Sequence, residues 1–150
     1  MKPHVEYRDA DHSPAELSEE RSALGACLFG QAAEAARMLE RDDFSVTANR
    51  EIFLAICALV ERGEAQLEVS LLAAELRARG LLEQVGGLPY LTDLDYGVTP
   101  ERSMESRVKV LRECAERRRL FKIAEEVERK ASDWTQPPGE TLDWLKGVAR

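Results

Sequence analysis

Apolar residues recur every three or four positions along most of the chain, and strict alternation of apolar and polar residues is nearly absent. Spacing of three or four places apolar side chains on one face of a helix, whereas alternation would indicate strands. The clearest helical stripe consists of Ile52, Phe53, Ile56, Leu59 and Val60. Arg62-Gly63 follows it, and a cation followed by glycine is typical of a helix C-terminus. The pattern therefore predicts an all-α fold.

Helix start and stop signals divide the first two thirds of the chain into short helices. Ser13-Pro14-Ala15-Glu16 has the form of a capping box with proline at the first helical position. We expect Gly30 to end or interrupt that first helix, and Ser70 to cap a later helix that Gly80 stops. Gly86-Gly87 is expected to end a short helical turn before the next helix. These signals predict a compact head of about five helices.

A much longer helix is predicted to follow the head. Thr99-Pro100 is expected to start it as N-cap and first helical residue, and no glycine or proline occurs before about Ser132. Pro137-Pro138-Gly139 then breaks the chain ahead of a short return helix, so the two helices form a hairpin. The predicted organisation is a polar tail over 1–13, a globular helical head over 14–98 and a hairpin arm over 99–150, with the long helix over about 100–132 and the return helix over about 140–149.

The long helix carries a narrow apolar stripe on an otherwise charged surface. The stripe consists of Met104, Val108, Leu111, Ala115, Leu120, Ala124 and Val127. A short return helix cannot cover a stripe of this length, and such a stripe is typical of helices that pack on one or two others. We therefore predict self-association through these residues. A charge at Val108 or Leu111 is expected to break the dimer and to leave the head folded.

The composition fits one domain with its own core, since 44% of the 150 residues are hydrophobic and 33% are charged. The formal net charge is −7, distributed as −9 over 1–100, +3 over 101–132 and −1 over 133–150. So acidic a chain is a poor candidate for wrapping nucleic acid, and direct binding is expected to be weak or absent. No apolar run approaches the ~20 residues of a membrane-spanning helix, and the first residues lack a secretion signal, which predicts a soluble cytoplasmic protein.

The residue types that usually carry catalysis or bind metals are not grouped in this sequence. Cys27, Cys57 and Cys114 are widely spaced with no histidine nearby, so we expect buried, reduced thiols. His4 and His12 both lie in the polar tail, so no metal site is expected. The sequence has no Walker-type phosphate loop, no H-E-x-x-H and no G-x-S-x-G. We therefore expect no enzyme activity and no cofactor in this chain, and predict a binding or assembly module.

Two segments leave other functions open. Residues 69–77 resemble the first helix of a helix-turn-helix, which would make the chain a small DNA-binding regulator, but 81–85 is too short, apolar and acidic for a recognition helix. Arg117-Arg118-Arg119, with Arg112 and Lys122, could contact phosphates, although successive arginines point to different faces of a helix. Ion pairs with glutamates of a partner helix explain these cations at least as well.

Taken in order, several segments resemble the N-terminal domain of the DnaB-type replicative DNA helicases. The segments are Glu20 with 24–28, Asp43-Phe44, 52–56 ending in Glu61-Arg62-Gly63, 72–76, Gly80-Leu81-Leu82, Gly86-Gly87-Leu88-Pro89-Tyr90-Leu91 and, in the long helix, Val108, Leu111-Arg112-Glu113 and Arg117-Arg118-Arg119-Leu120. The glycine pair with the Leu-Pro-Tyr-Leu after it is the most specific, and the ordered set covers about residues 14–150. The sequence departs from the family at Arg21, where glutamine is usual, and at Asn49, where histidine is frequent.

The resemblance implies a non-catalytic assembly domain of a replicative helicase, acting in the primosome during DNA replication. Family hairpins pair into dimers, and three dimers form a collar above the motor domains. The implied partners are therefore a second copy of the chain, primase, and the helicase motor domain or a helicase loader. ATP and Mg would belong to the RecA-like motor domain that follows in family members. The alternative within the family is a free-standing homologue that regulates a full-length helicase.

Overall fold

A computed structural model of the chain describes residues 14–96 and 102–149. All regular secondary structure in these two ranges is helical, which confirms the all-α prediction. The α-helices are α1 (Pro14–Ala26), α2 (Ala32–Met38), α3 (Thr47–Glu61), α4 (Val69–Ala78), α5 (Gly87–Tyr96), α6 (Met104–Ala131) and α7 (Pro138–Val148). A π-helical segment (Cys27–Gln31) joins α1 to α2, and a 3-10 turn (Arg41–Asp43) precedes α3.

The head is organised around α3, which packs against α1, α2 and α4. Four residues of its predicted stripe are fully buried, namely Ile52, Phe53, Ile56 and Leu59. Phe44, just after the 3-10 turn, is also buried, and its ring centroid lies 5.0 Å from that of Phe53. Fully burying one such side chain contributes roughly 1.5–3 kcal/mol relative to leaving it in water. The apolar period read from the sequence therefore identified the interior face of this helix correctly.

Some of the predicted helix ends are found near their signals, and two are not. Gly30 has a φ of +90° and interrupts the passage from α1 to α2, as expected. Ser70 does not cap α4; it lies inside the helix, and Glu68 occupies the N-cap position. Residues 82–86 form turns, and Gly87 opens α5 rather than ending an earlier helix. Gly86 has a φ of +113°, and a Cβ added there would lie 2.8 Å from the Cβ of Tyr90, so backbone and packing both require glycine.

The long helix begins later than the sequence suggested. Ser103 is its N-cap, with a side-chain oxygen that accepts a hydrogen bond from the backbone N–H of Ser106 at 3.2 Å. The predicted start at Thr99-Pro100 lies outside the described residues, as do Ser13 and the polar tail over 1–13. The helix is 28 residues long, or about 42 Å at 1.5 Å per residue. The return helix is confirmed as α7, and the two pack as a hairpin.

The first two turns of α6 belong to the head rather than to the arm. Met104, Val108 and Leu111 are buried in the same apolar core as α1 and α3. The core of the head thus extends past the predicted boundary between head and arm at residues 98 and 99, as far as Leu111. Three of the predicted self-association residues are therefore core residues of the head.

Candidate self-association surface

The arm lacks a core of its own. From residue 112 to residue 149 no hydrophobic side chain is buried, although Thr141 is. The contacts between its two helices include a hydrogen bond from Arg119 to the carbonyl oxygen of Val148 at 2.6 Å and the Lys130 ammonium 5.3 Å from the ring centroid of Trp144. A helix hairpin normally buries an apolar stripe between its helices or against a neighbour. The arm thus presents uncovered apolar surface.

Of the remaining four predicted self-association residues, Leu120, Ala124 and Val127 lie beyond Arg118, and Ala115 lies between the two arginines Arg112 and Arg118 that contact the head. Ala115, Ala124 and Val127 are partly buried, and Leu120 is 64% exposed. Leu142 of α7 is 59% exposed and adds apolar surface to the same hairpin. A role of these residues in self-association stays a prediction that rests on this exposure and on the helical spacing.

Two arginines anchor the start of α6 to α1. Arg102 donates to both carboxylate oxygens of Glu19, at 2.7 and 2.9 Å. Arg107 is fully buried and donates to the hydroxyl group of Ser22. Burial lowers the pKa of Arg107, but a guanidinium remains protonated at neutral pH. These contacts fix α6 to the head before it leaves the core.

Two further arginines hold the middle of α6 against the head. Arg112 donates to the carbonyl oxygen of Met38 at the end of α2. Arg118 forms an ion pair with Glu16 of α1, which is almost completely buried, and donates to the carbonyl oxygen of Asp42 at 3.0 Å. Burial lowers the pKa of Arg118. The arm therefore leaves the head in a direction that both charged and apolar contacts define.

These contacts correct the prediction for the arginine cluster. Arg118 was expected to pair with a glutamate of a partner helix, but it pairs with Glu16 of its own chain, 102 positions earlier in the sequence. Arg119 also contacts its own chain, with Glu116 at 3.7 Å as well as Val148. Arg117 is exposed on another side of α6. Three successive arginines thus point in three directions, as the helical geometry required.

An open groove of about 730 Å³ runs beside the first half of α6, with α2 on its other side. Met38, Val108 and Leu120 supply apolar surface, and charged side chains of both signs line the rest. The charged residues are Glu105, Lys109, Arg112, Glu113, Glu116 and Arg117. Sequence reasoning missed this groove, because it depends on how α2 is placed against α6.

A buried polar network connects three helices of the head. Glu20 of α1 is fully buried, and its carboxylate accepts hydrogen bonds from the backbone N–H of Ser45 and from the amide of Asn49 at 2.7 Å. Asn49 in turn accepts a hydrogen bond from the Tyr90 hydroxyl group at 2.7 Å. Burial raises the pKa of Tyr90, so the phenol stays protonated, and the Arg21 guanidinium lies 5.4 Å from its ring centroid. The two departures from the family pattern, Arg21 and Asn49, therefore both lie in this network, whose satisfied contacts indicate a structural role.

The cysteines show no sign of a reactive thiol. Cys27 is buried, which raises the pKa of its thiol to about 12, and all three cysteines are free. Cys57 and Cys114 are only partly buried, less than predicted, and burial raises the pKa of each thiol as well. A thiol with a raised pKa stays protonated at neutral pH and is a poor nucleophile.

Over 14–96 and 102–149, no three or more His, Cys, Asp or Glu side chains lie close enough to hold a metal ion. His4 and His12 fall outside those ranges. None of the described helices is long and apolar enough to span a membrane. The segment after α4 forms turns over 82–86, so a recognition helix is not present where a helix-turn-helix would need one.

Comparison with known proteins matches most of the chain to one family. Residues 12–113 match the model described as the DnaB-like helicase N terminal domain. The end of that match, at residue 113, lies next to Leu111, where the core of the head closes. The agreement supports a compact unit that includes the first two turns of α6.

Individual relatives are also replicative DNA helicases. The replicative DNA helicase DnaC of Bacillus subtilis (strain 168) is 33% identical over 113 residues, which is 74% of this chain and 25% of that protein. The replicative DNA helicase DnaB of Geobacillus stearothermophilus is 31% identical over 116 residues, 76% of this chain and 25% of that protein. The chain thus spans about a quarter of the length of these relatives. The crystal structure of the N-terminal domain of DnaB helicase from Mycobacterium tuberculosis superposes with a TM-score of 0.78 at 30% identity, covering 89% of this chain and 94% of that one.

Proposed function

Because the chain belongs to the family of DnaB-like helicase N-terminal domains, we propose that it is the assembly and docking domain of a replicative DNA helicase. Its arm pairs with the arm of a second copy, and pairs of chains build a dimer or a trimer of dimers as the helicase collar. Its head recruits primase or a helicase loader. Unwinding itself would require the motor domain, which corresponds to the part of the relatives that this chain does not match.

The observation that carries this proposal is the absence of any buried hydrophobic side chain over residues 112–149. The part of the hairpin after Leu111 has no buried hydrophobic side chain and should not hold its shape by propensity alone, since most helix stability in proteins comes from tertiary packing. The head fixes only the first half of α6, through Leu111 and Arg118. A second arm packed on Leu120 and its neighbours would supply the missing burial.

We expect the purified chain to be a dimer or larger by multi-angle light scattering, and Leu120→Asp to shift it towards the monomer. A carboxylate placed at the centre of the uncovered stripe would have to be desolvated on association. The matched control is Leu88→Asp, because Leu88 is 50% exposed on the head and should leave the mass unchanged. Circular dichroism should show both variants folded. A wild-type monomer at all accessible concentrations, or equal effects of the two variants, would contradict the proposed assembly.

We expect the chain to gain mass when mixed with the C-terminal region of primase from the same organism. Phe29 and Leu88 are half-exposed apolar side chains on the head, and such residues are the first candidates for a docking contact. Phe29→Ala and Leu88→Ala should be compared with Leu120→Ala on the arm. Loss of primase binding only in the arm variant would show that docking depends on assembly rather than on the head. No added mass with the wild type would overturn the docking part of the proposal.

ATP and Mg are assigned by this proposal to the motor domain and not to this chain. The sequence lacks a phosphate-binding loop, and the fold positions no substitute for one in its described part. The free chain is therefore proposed to have no ATPase activity of its own.

A further inference from the structure

Trp134 is almost entirely in solvent, although tryptophan is among the largest apolar side chains. It is 97% exposed in the turn between α6 and α7, at the tip of the arm. The turn is ordered by Asp133, whose carboxylate accepts hydrogen bonds from the backbone N–H of Thr135 at 3.0 Å and from its hydroxyl group at 2.6 Å. A tryptophan held on a defined turn costs little entropy to immobilise, and tryptophan is enriched among the residues that dominate interfaces. Trp134 at the tip therefore has the features of a residue that contacts a partner protein.

The groove at the base of the arm has the chemistry to receive an indole ring. Its apolar surface comes from Met38 and Leu120, together with the methylene stems of Lys109, Arg112 and Arg117. Its volume of about 730 Å³ is within the range of clefts that bind drug-sized ligands, and an indole ring is smaller than these. Guanidinium groups at the rim can lie over the face of an indole.

The tip and the groove are related by the geometry of an antiparallel pair. The uncovered stripe of α6 runs from Leu120 to Val127, so its midpoint lies between residues 123 and 124. Trp134 comes about 10 residues after that midpoint, and the centre of the groove, near Glu113, about 10 residues before it. At 1.5 Å per residue both lie roughly 15 Å from the midpoint. In a two-fold antiparallel pairing of α6, each tip would therefore face the groove of the other copy.

We propose that Trp134 of one chain inserts into the groove beside α6 of a second copy, and that the contact occurs twice in a two-fold dimer. This inference rests on the proposed self-association of the arm and specifies its geometry. The charges are complementary, since Asp133 beside the indole meets Arg112 and Arg117 at the groove. A two-fold pair uses each of these contacts twice, which gives the interface its register.

Fluorescence of Trp134 tests the proposal directly. The chain has two tryptophans, so Trp144→Phe leaves Trp134 as the sole tryptophan, which can be excited selectively over the three tyrosines, and keeps a ring opposite Lys130. As dilute protein is concentrated into the dimer, its emission should shift to shorter wavelength and acrylamide quenching should fall several-fold. A dimer whose Trp134 remains fully quenchable would overturn this inference and leave the proposed assembly standing. A chain that never dimerises would overturn both.

Variants of the two halves of the contact give a second readout. Trp134→Ala at the tip and Arg117→Ala in the groove should each raise the dimer dissociation constant about tenfold or more, as expected for a central interface residue. The matched control is Tyr96→Ala, an aromatic residue that is 83% exposed on the head, which should leave the dissociation constant unchanged. Equal dissociation constants for wild type and Trp134→Ala would exclude the tip from the interface.

Discussion

Replacing Arg118 by leucine is expected to lower the free energy of unfolding by about 3–5 kcal/mol, because removing one partner of a buried ion pair leaves the other charge desolvated. Glu16, the partner of Arg118, is only 3% exposed. The substitution also removes the hydrogen bond from Arg118 to the carbonyl oxygen of Asp42. Urea denaturation followed by circular dichroism measures the change.

A double-mutant cycle separates the ion pair from the other contacts of Arg118. Glu16→Leu should be destabilising by a similar amount, whereas Glu16→Leu combined with Arg118→Leu should recover much of the loss, because no unpaired charge remains. Additive effects of the two substitutions would contradict a direct pair. Single effects below about 1 kcal/mol would mean that the pair behaves as a solvent-exposed one.

Leu111→Ala is expected to cost about 2–5 kcal/mol of stability, the usual range for truncating a fully buried leucine. Leu111 is 0% exposed in the core of the head. The matched substitution Leu120→Ala, on the same helix and of the same chemistry, should change the stability of the monomer by less than about 0.5 kcal/mol. Denaturation at two protein concentrations keeps folding and association apart, since association adds a concentration-dependent contribution. Similar costs at the two positions would contradict the division of α6 into a buried and an uncovered part.

The apolar stripe of α6 shows how far sequence reasoning reaches. Apolar spacing grouped the residues from Met104 to Val127 into one stripe, and the structure confirms that they share one helix. At 100° per residue, however, Leu120 lies on the opposite side of that helix from Leu111. Leu111 is buried in the core of the head, whereas Leu120 is 64% exposed. Periodicity reveals which positions are apolar but not which surface they pack against, and three of the predicted self-association residues lie in the core of the head.

The buried polar contacts could not be predicted from local sequence. Glu16, Glu20 and Arg107 are ordinary charged residues in helical segments, and their partners are 102, 25 and 85 positions away. Only the tertiary fold brings such residues together. The resemblance gave a partial signal, since it singled out Glu20 and marked Asn49 as a departure, and the two are hydrogen bonded.

The sequence did not mark Trp134 as a candidate interface residue for a different reason. It lies in the turn after α6 and belongs to no periodic apolar stripe. The proline pair after it indicates only that the helix ends nearby. Its exposure becomes informative once the hairpin places it at the tip. Helix existence and order were thus readable from local patterns, whereas the groove, the tip and the buried ion pair required packing.

Because α6 is one continuous helix, its outer part moves with the part that the head holds. The helix passes without glycine or proline from Met104, inside the head, to Ala131 near the tip. The head still holds the helix at Arg118, and the distance from there to Ala131 is about 20 Å, so a tilt of about 10° would move the far end by about 3 Å. A repacking of the head too small to alter its fold would therefore produce a larger displacement at the tip of the arm. A partner that binds the head and shifts its core would thereby change the distance between the tips of two paired arms.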